Sequence, residues 1–202
     1  MTNEDKISAL ALRAVIDSYE EVLGLPGKNS ILNFARLSDL IVEPPPYSED
    51  VDYPHEYVDR IIRSSLDVMG EAGTRAIVIR AGRKTIELVK RVSETVQSLA
   101  DSEDMSGYEK MKALLAYYAH QINRPPEFDF NEDVIVFHNP GCTLCDGIKT
   151  EKPSCTYVSG VFEGMGLFIA GYPEIRCVET ECKASGGVEC RYEIRLNPQG
   201  ED

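Results

Sequence analysis

Residues 175–196, IRCVETECKASGGVECRYEIRL, decide the fold of the C-terminal part of the chain. The Ser185-Gly186-Gly187 segment at their centre supplies a glycine for the positive φ angle of a tight hairpin turn. After the turn, Cys190, Tyr192, Ile194 and Leu196 alternate with Arg191, Glu193 and Arg195. Alternation with a period of two is typical of a strand that buries one face. We therefore expect a β-hairpin with strands over residues 175–182 and 188–196.

Upstream of the hairpin, the sequence predicts one more strand and a series of helices. The β-branched and aromatic run at residues 134–137 indicates a buried strand. Apolar residues three or four positions apart predict helices before it, over residues 4–24, 29–40, 54–70, 76–99 and 108–122. A glycine-containing helix is expected over residues 155–172. The predicted fold class is α+β, a helical N-terminal region followed by a small antiparallel sheet.

Composition limits the possible partners. The 202 residues have a net charge of −13, which disfavours direct binding to nucleic acids and to anionic membranes. The longest apolar stretches are far too short to span a bilayer. The first six residues lack the basic and apolar regions of a signal peptide, so we expect a cytoplasmic protein.

The chain divides into two parts by composition, which we expect to form one integrated domain. Residues 1–124 are the helical part and residues 125–202 the cysteine-rich, metal-binding part. Residues 39–59 contain seven acids and four prolines, which favours an irregular solvated loop over a lid or docking arm. Residues 75–91 contain six basic residues and one acid, which favours a solvated helix face over an anion or partner site.

Cysteine is distributed unevenly along the sequence. All six cysteines lie between Cys142 and Cys190, which in a reducing compartment indicates metal or redox chemistry more often than disulfides. A three-residue turn would place Cys182 opposite Cys190 on one face of the hairpin. Thiolates favour zinc, and a structural zinc ion takes four ligands. Cys155 could supply another ligand from a distant segment.

The cysteine pattern also resembles a known family. Cys155 followed by Gly160 and Gly164, then VETEC at residues 178–182, Gly186-Gly187 and CRYEI at residues 190–194, is similar to the C-terminal part of the four-vinyl-reductase domain family. The family includes a bacteriochlorophyll-synthesis protein and the sensor domains of phenol-responsive activators. The resemblance implies a ligand-binding fold like that of vesicle-tethering subunits and nitric-oxide sensors. It also implies a homodimer.

The same resemblance implies a set of metal ligands. Residue by residue, the zinc ligands of the phenol sensors correspond to Cys155, Glu179, Cys182 and Cys190. One point of geometry opposes Glu179, because residues three apart in a regular strand face opposite sides of the sheet. A β-bulge or a strand end between Glu179 and Cys182 would remove the difficulty. The alternative is that the cysteines are small buried core residues.

The remaining cysteines allow a second site. His138, Cys142 and Cys145 have the spacing H-x3-C-x2-C, which is compatible with metal binding, a redox switch or coincidence. Cys177 is expected to be an ordinary packed thiol.

Three functions follow from these observations. The first is a zinc-containing sensory or carrier domain that binds a small hydrophobic, aromatic or tetrapyrrole-like ligand. Its pocket candidates are Phe162, Met165, Phe168 and Tyr172. The second is a tetrapyrrole vinyl reductase or its accessory protein, although no nucleotide-binding motif is visible. The third is a thiol redox-responsive interaction module. The sequence contains no Ser-His-Asp arrangement and no H-E-x-x-H motif, which favours binding over catalysis.

Overall fold

The computed structural model describes residues 6–121, 127–131, 133–142, 144 and 147–197. The helices are α1 (Ala9–Phe34), α2 (Asp39–Val42), α3 (Glu56–Val92), α4 (Glu94–Asp101), α5 (Gly107–Gln121) and α6 (Thr156–Met165). The strands are β1 (Lys6–Ser8), β2 (Asp52–Pro54), β3 (Glu127–Phe130), β4 (Val134–Asn139), β5 (Ile175–Glu181) and β6 (Cys190–Leu196). A π-helical turn, Gly166–Ala170, continues α6, and a 3-10 turn, Lys183–Ser185, joins β5 to β6. The α+β class is confirmed.

The predicted hairpin forms two strands of a four-stranded antiparallel sheet with the order β3-β4-β6-β5. Phe137 of β4 pairs with Tyr192, and Cys177 of β5 pairs with Ile194. Burial alternates along β6 as the sequence predicts, with every second side chain in the core. Between Glu179 and Glu181 the register shifts by a β-bulge, the irregularity that the Glu179 ligand assignment requires.

The helical half differs from expectation at its start and agrees with it at two glycine breaks. Residues 6–8 form strand β1 rather than the beginning of a helix, and β1 pairs with β2 from the acidic segment. That segment is therefore partly ordered, and it also contains α2. Gly24 and Gly70, at φ 70 and 71, have non-helical backbone, so α1 and α3 each consist of two helices joined at a kink where the sequence predicts a helix end. The chain turns at these glycines because they combine a positive φ angle with an extended ψ angle, a conformation that other residues rarely adopt.

Helices α3 and α6 touch through their backbones. A Cβ atom on Gly160 would lie 2.0 Å from the carbonyl oxygen of Ile79, and one on Gly82 would lie 2.1 Å from that of Tyr157. Beside this contact, Arg83 donates two hydrogen bonds to Glu163 Oε2, at 2.8 and 2.6 Å. Glu163 Oε1 accepts from the Cys177 amide at 3.0 Å. One buried carboxylate thus joins α3, α6 and β5.

Two apolar cores share α3. The first packs α1 against the first half of α3, and its fully buried side chains include Leu12, Tyr19 and Ile61. The second lies between the sheet and the second half of α3 together with α4, α5 and α6. It contains the aromatic rings of Tyr118, Phe137, Phe162 and Tyr192. The ring centroids of Phe137 and Phe162 are 5.2 Å apart in an edge-to-face arrangement.

The basic segment of α3 is paired within the molecule. Arg80 and Lys84 both contact Glu21, and Arg91 contacts Glu87. Lys90 donates to the backbone carbonyl of Phe168 and Arg75 to that of Pro153. These contacts favour the solvated helix face over an anion site. In the described part of the chain, no helix has both the length and the apolar character needed to cross a membrane.

Candidate ligand cavity and cysteine cluster

A cavity of about 410 Å³ lies between the helices and the segment that follows β4. Its walls are mostly apolar and come from α3, α4, α5, α6 and the π-helical turn. The apolar wall residues include Ile86, Val89, Val96, Leu114, Val161, Met165 and Ile169. The volume falls within the range of roughly 300–1,000 Å³ that is typical of small-molecule sites. The chain thus contains a space of the right size and character for a small apolar ligand.

Polar groups occur at two places in the cavity wall. Thr85 donates to the Ala81 carbonyl at 2.9 Å, so the Tyr157 hydroxyl must be the donor in its 2.8 Å contact with Thr85. Burial raises the pKa of Tyr157 to about 12, which keeps this hydroxyl neutral. Lone pairs of the Tyr157 oxygen remain available as acceptors.

The second polar region contains most of the charged residues of the wall. Lys6, Glu49, Asp52 and His55 all line the cavity there. Lys6 pairs with Asp52 at 3.3 Å, and His55 faces Asp59 at 3.5 Å. Burial, and to a smaller extent the neighbouring Asp50, raise the pKa of Glu49. Carboxylates therefore outnumber ammonium groups among the described wall residues.

Only one of the four predicted pocket residues, Met165, is among the described lining residues. Phe162 is fully buried among the core aromatics, and Phe168 is partly exposed at the surface. Tyr172 packs at the edge of the core beside Gly107. Sequence reasoning missed most of the cavity, because residues such as Val89 and Leu114 have the same apolar spacing as ordinary core positions.

The structure brings together three of the predicted metal ligands through their sulfur atoms. Cys155 Sγ lies 3.8 Å from Cys182 Sγ and 3.9 Å from Cys190 Sγ, and the last two are 3.8 Å apart. Metal–thiolate bonds of about 2.3 Å at tetrahedral angles separate two sulfur atoms by roughly 3.8 Å. The three buried sulfur atoms thus have the spacing of ligands on one metal ion.

Glu179 is the fourth member of this group. One donor atom from each of Cys155, Glu179, Cys182 and Cys190 lies within 4.8 Å of the others, and all four residues are buried. Glu179 Oε2 accepts a hydrogen bond from the Cys155 amide at 2.8 Å. The other oxygen, Oε1, is buried and has no hydrogen-bond partner among the described residues. Burial, reinforced by Cys182, raises the pKa of this carboxyl to about 9. A cation beside the Glu179 carboxylate would offset the free-energy cost of keeping it ionised in this buried position.

The residues of the second predicted site, His138 and Cys142, lie in two different environments. Cys142 Sγ lies 3.8 Å from Cys155 Sγ, so Cys142 belongs beside the cluster. The ring of His138 faces carboxylates instead, with Nδ1 2.8 Å from Glu189 and Nε2 3.3 Å from Asp129. Glu189 is the main reason that the pKa of His138 is raised. Cys145 lies outside the described residues.

Cys177 is separate from the cluster. Its side chain is buried, and desolvation raises the pKa of its thiol well above the ordinary value. A neutral buried thiol matches the prediction of a packed residue.

No family model matches the chain, and no curated protein matches it by sequence. Several solved structures have the same fold. An oxygen-binding H-NOX domain related to soluble guanylate cyclases is 13% identical, with a TM-score of 0.59 over 97% of this chain and 100% of that chain. A structure concerned with modulating heme redox potential through porphyrin distortion is 13% identical, with a TM-score of 0.58 over 94% of this chain and 100% of that one. The phenol-responsive sensory domain of the activator PoxR, with phenol, is 18% identical, with a TM-score of 0.52 over 72% and 75%.

These comparisons correct two expectations. The assignment to the four-vinyl-reductase family is wrong, because no family model matches and the structural neighbours are H-NOX domains and a phenol-responsive sensory domain. Zinc as the resident cofactor is also wrong, because the cofactor named in the neighbouring structure concerned with porphyrin distortion is heme. The nitric-oxide-sensor-like part of the expected fold agrees with the H-NOX neighbours.

Proposed function

We propose that this chain is a small-molecule-binding sensory domain whose ligand occupies the 410 Å³ cavity. The observation that supports it most is a mostly apolar cavity lined by several helices, in a chain whose fold resembles that of an H-NOX domain over 97% of its length. A phenol-responsive sensory domain with a TM-score of 0.52 adds support for an aromatic ligand.

The wall chemistry favours a neutral ligand with an apolar body and one hydroxyl group. Side chains such as Val89, Leu114 and Met165 would contact the apolar body. The Tyr157 oxygen, whose own proton is directed to Thr85, could accept a hydrogen bond from the ligand hydroxyl. An anionic ligand is disfavoured, because Glu49 and Asp52 face the same space as Lys6, the one lysine among the described lining residues.

Heme fits the described wall poorly. His55, Cys142 and Met165 belong to the residue types that ligate heme iron, and all three line the cavity. The two heme carboxylates, however, are stabilised in a binding site by charge-assisted hydrogen bonds from cationic partners. Among the described lining residues only Lys6 is a lysine or arginine, and it already pairs with Asp52. We therefore assign a neutral organic ligand and not heme.

A pair of matched substitutions on α3 tests the cavity. N-Phenyl-1-naphthylamine, a neutral aromatic probe, is expected to bind the purified protein saturably. Val89→Trp fills the cavity and should weaken this binding by at least about tenfold, because a ligand cannot share the space. Val68→Trp makes the same change at a side chain that is 57% exposed and should bind as the wild type does.

Two results would contradict the proposal. One is unchanged affinity in Val89→Trp. The other is stoichiometric uptake of added heme with a Soret absorption band, which would replace the neutral ligand by heme.

We further propose that Cys155, Glu179, Cys182 and Cys190 hold a metal ion with a structural role. Such an ion would join the start of α6 to the β5–β6 hairpin, and four protein donors leave no position open for substrate. The unpartnered Oε1 of Glu179 and the sulfur spacing of 3.8–3.9 Å support this set.

Cobalt is a suitable probe because Co²⁺ bound to thiolates has a charge-transfer absorption band. Metal-free wild-type protein should bind one Co²⁺ with this band, and Cys182→Ser should weaken the binding at least about tenfold. Cys177→Ser removes a buried thiol outside the cluster and is the control. Wild-type Co²⁺ affinity in Cys182→Ser would contradict the ligand set.

We also propose that the chain forms a homodimer. Light scattering during size-exclusion chromatography measures the molar mass directly, and a value of one 22.5 kDa chain would contradict it.

A further inference from the structure

A second cavity, of about 330 Å³, lies between the middle of α3 and the segment that leads into α6. Its described walls come from residues 62–78 and 144–157. Leu144 and Tyr157 line both this cavity and the first one, and the other described wall residues of the two cavities differ. The chain thus contains two neighbouring spaces, each within the size range of small-molecule sites.

The interior of the second cavity is apolar. Val78, at 4% exposure, is buried on α3. The larger apolar side chains of the described wall are Ile62, Leu66, Val78, Leu144, Ile148 and Pro153. Burying an apolar group of a ligand against these side chains removes its surface from water, which favours binding.

Charged side chains of both signs also line this cavity. The four are exposed, and they are Glu71, Arg75, Glu151 and Lys152. Glu71 Oε1 accepts a hydrogen bond from the Glu151 amide at 3.3 Å, and Arg75 donates to the Pro153 carbonyl at 3.2 Å. In the described part of the chain, none of the four side chains takes part in a salt bridge. Their charges are therefore available to a ligand, since a guanidinium has five N–H donors and Arg75 uses one of them here.

We propose that the second cavity is a binding site for a zwitterion with an apolar side chain, such as an aromatic α-amino acid. Arg75 and Lys152 bind the carboxylate of this ligand, and Glu71 and Glu151 bind its ammonium group. The apolar side chain packs against Val78 and the other apolar residues of the interior. The inference is independent of the ligand proposed for the first cavity.

The equal number of charges of each sign distinguishes a zwitterion from other ligands. An organic anion would face Glu71 and Glu151 with no charge to offset them, and an organic cation would face Arg75 and Lys152 in the same way. Like charges placed together across an interface are costly, and opposite charges placed together give specificity. A ligand that carries both charges matches all four side chains at once.

Three related compounds test the charge requirement with the wild-type protein. L-Phenylalanine should bind saturably to one site per chain in isothermal titration calorimetry. 3-Phenylpropanoate lacks the ammonium group and 2-phenylethylamine lacks the carboxylate, so each should bind at least about tenfold more weakly. Equal affinity for L-phenylalanine and either analogue would overturn the zwitterion site, and so would the absence of saturable L-phenylalanine binding.

Substitutions of the charged residues test where the compound binds. Arg75→Gln and Glu71→Gln should each weaken L-phenylalanine binding by at least about fivefold, because each removes a charged hydrogen-bonding group. Arg80→Gln and Glu87→Gln are the matched controls on α3, since neither residue is among the described lining residues, and both should bind as the wild type does. Wild-type affinity in both Arg75→Gln and Glu71→Gln would overturn the inference.

Filling each cavity separately distinguishes this site from the first one. Val78→Trp fills the second cavity and should abolish L-phenylalanine binding while N-phenyl-1-naphthylamine still binds. Val89→Trp fills the first cavity and should have the opposite effect. Circular dichroism checks that both variants are folded. Wild-type L-phenylalanine affinity in folded Val78→Trp would overturn the second site and leave the proposal for the first cavity unaffected.

Discussion

The bulge between Glu179 and Glu181 decides which carboxylate reaches the cysteines. Glu179 is buried, and its Oε2 accepts from the Cys155 amide. Glu181 turns to the other side of the hairpin, where its Oε1 accepts from the Val188 amide at 2.8 Å. A regular strand would place both on one face, away from Cys182. The sequence contained the candidates, but the bulge that selects between them depends on the paired strand.

His138 gives a prediction at the scale of one residue. Glu189 holds the pKa of His138 above the ordinary value, since the hydrogen bond and the negative charge both favour the imidazolium. Glu189→Gln should therefore lower the pKa of His138, measured by NMR titration of its ring protons. Glu193→Gln, in strand β6 directly after Glu189, is the control. Equal pKa values in the wild type and Glu189→Gln would contradict the assignment of this contact.

The same shift has a consequence for stability. The folded pKa of His138 is raised above the ordinary histidine value of about 6.5, so the stabilisation from this pair is complete below about pH 6.5. It is lost as the pH rises through the folded pKa of His138. The difference in unfolding free energy between the wild type and Glu189→Gln should therefore shrink from pH 6 to pH 9.

At the scale of elements, the contact between α3 and α6 positions both the cavity and the cluster. Helix α6 begins directly after Cys155 and provides Val161 and Met165 to the cavity wall. Its backbone can approach α3 only because Gly82 and Gly160 lack side chains. The sequence placed Gly160 and Gly164 in a predicted helix, but it could not identify the helix that packs against them, since glycine has no directional pattern.

Gly160→Ala tests this contact. The added Cβ would lie 2.0 Å from the Ile79 carbonyl oxygen, and two helix backbones must separate to admit it. We expect a loss of about 3 kcal/mol of unfolding free energy, the upper part of the range for overpacking. Chemical denaturation measures the loss.

Gly73→Ala is the matched control on α3, because the nearest atom to its Cβ is the Met69 side chain at 3.0 Å. Its effect should stay within about 1 kcal/mol, the scale of helix propensity. Equal stability of Gly160→Ala and Gly73→Ala would contradict a backbone contact at Gly160.

At the scale of the whole molecule, features that depend on contacts between residues close in the sequence could be predicted. Features that depend on contacts between distant residues could not. The hairpin and its cysteines are local, so alternation and the Ser185-Gly186-Gly187 turn were enough to predict them. Strand β1 was mistaken for helix because its partner β2 lies more than forty residues away. Strand β3 was missed for a related reason, since its pairing with β4 and not its own pattern defines it.

The cavity also depends on contacts between residues that are far apart in the sequence. Val89, Leu114 and Met165 come from three helices, and each alone has the spacing of an ordinary core residue. Whether such residues meet or leave a space depends on how the helices pack. The glycine contact between α3 and α6 is part of that packing, so the ligand site is a property of the assembled molecule.

Methyl NMR of the wild type with N-phenyl-1-naphthylamine tests the central claim most directly, because it locates the bound probe. Methyl signals of Val89, Val161 and Met165 should shift saturably, since these residues line the cavity. Those of Leu12 and Leu32, in the core between α1 and α3, should not shift. Saturable shifts confined to the α1–α3 core, or no saturable shift at the cavity methyls, would contradict the account.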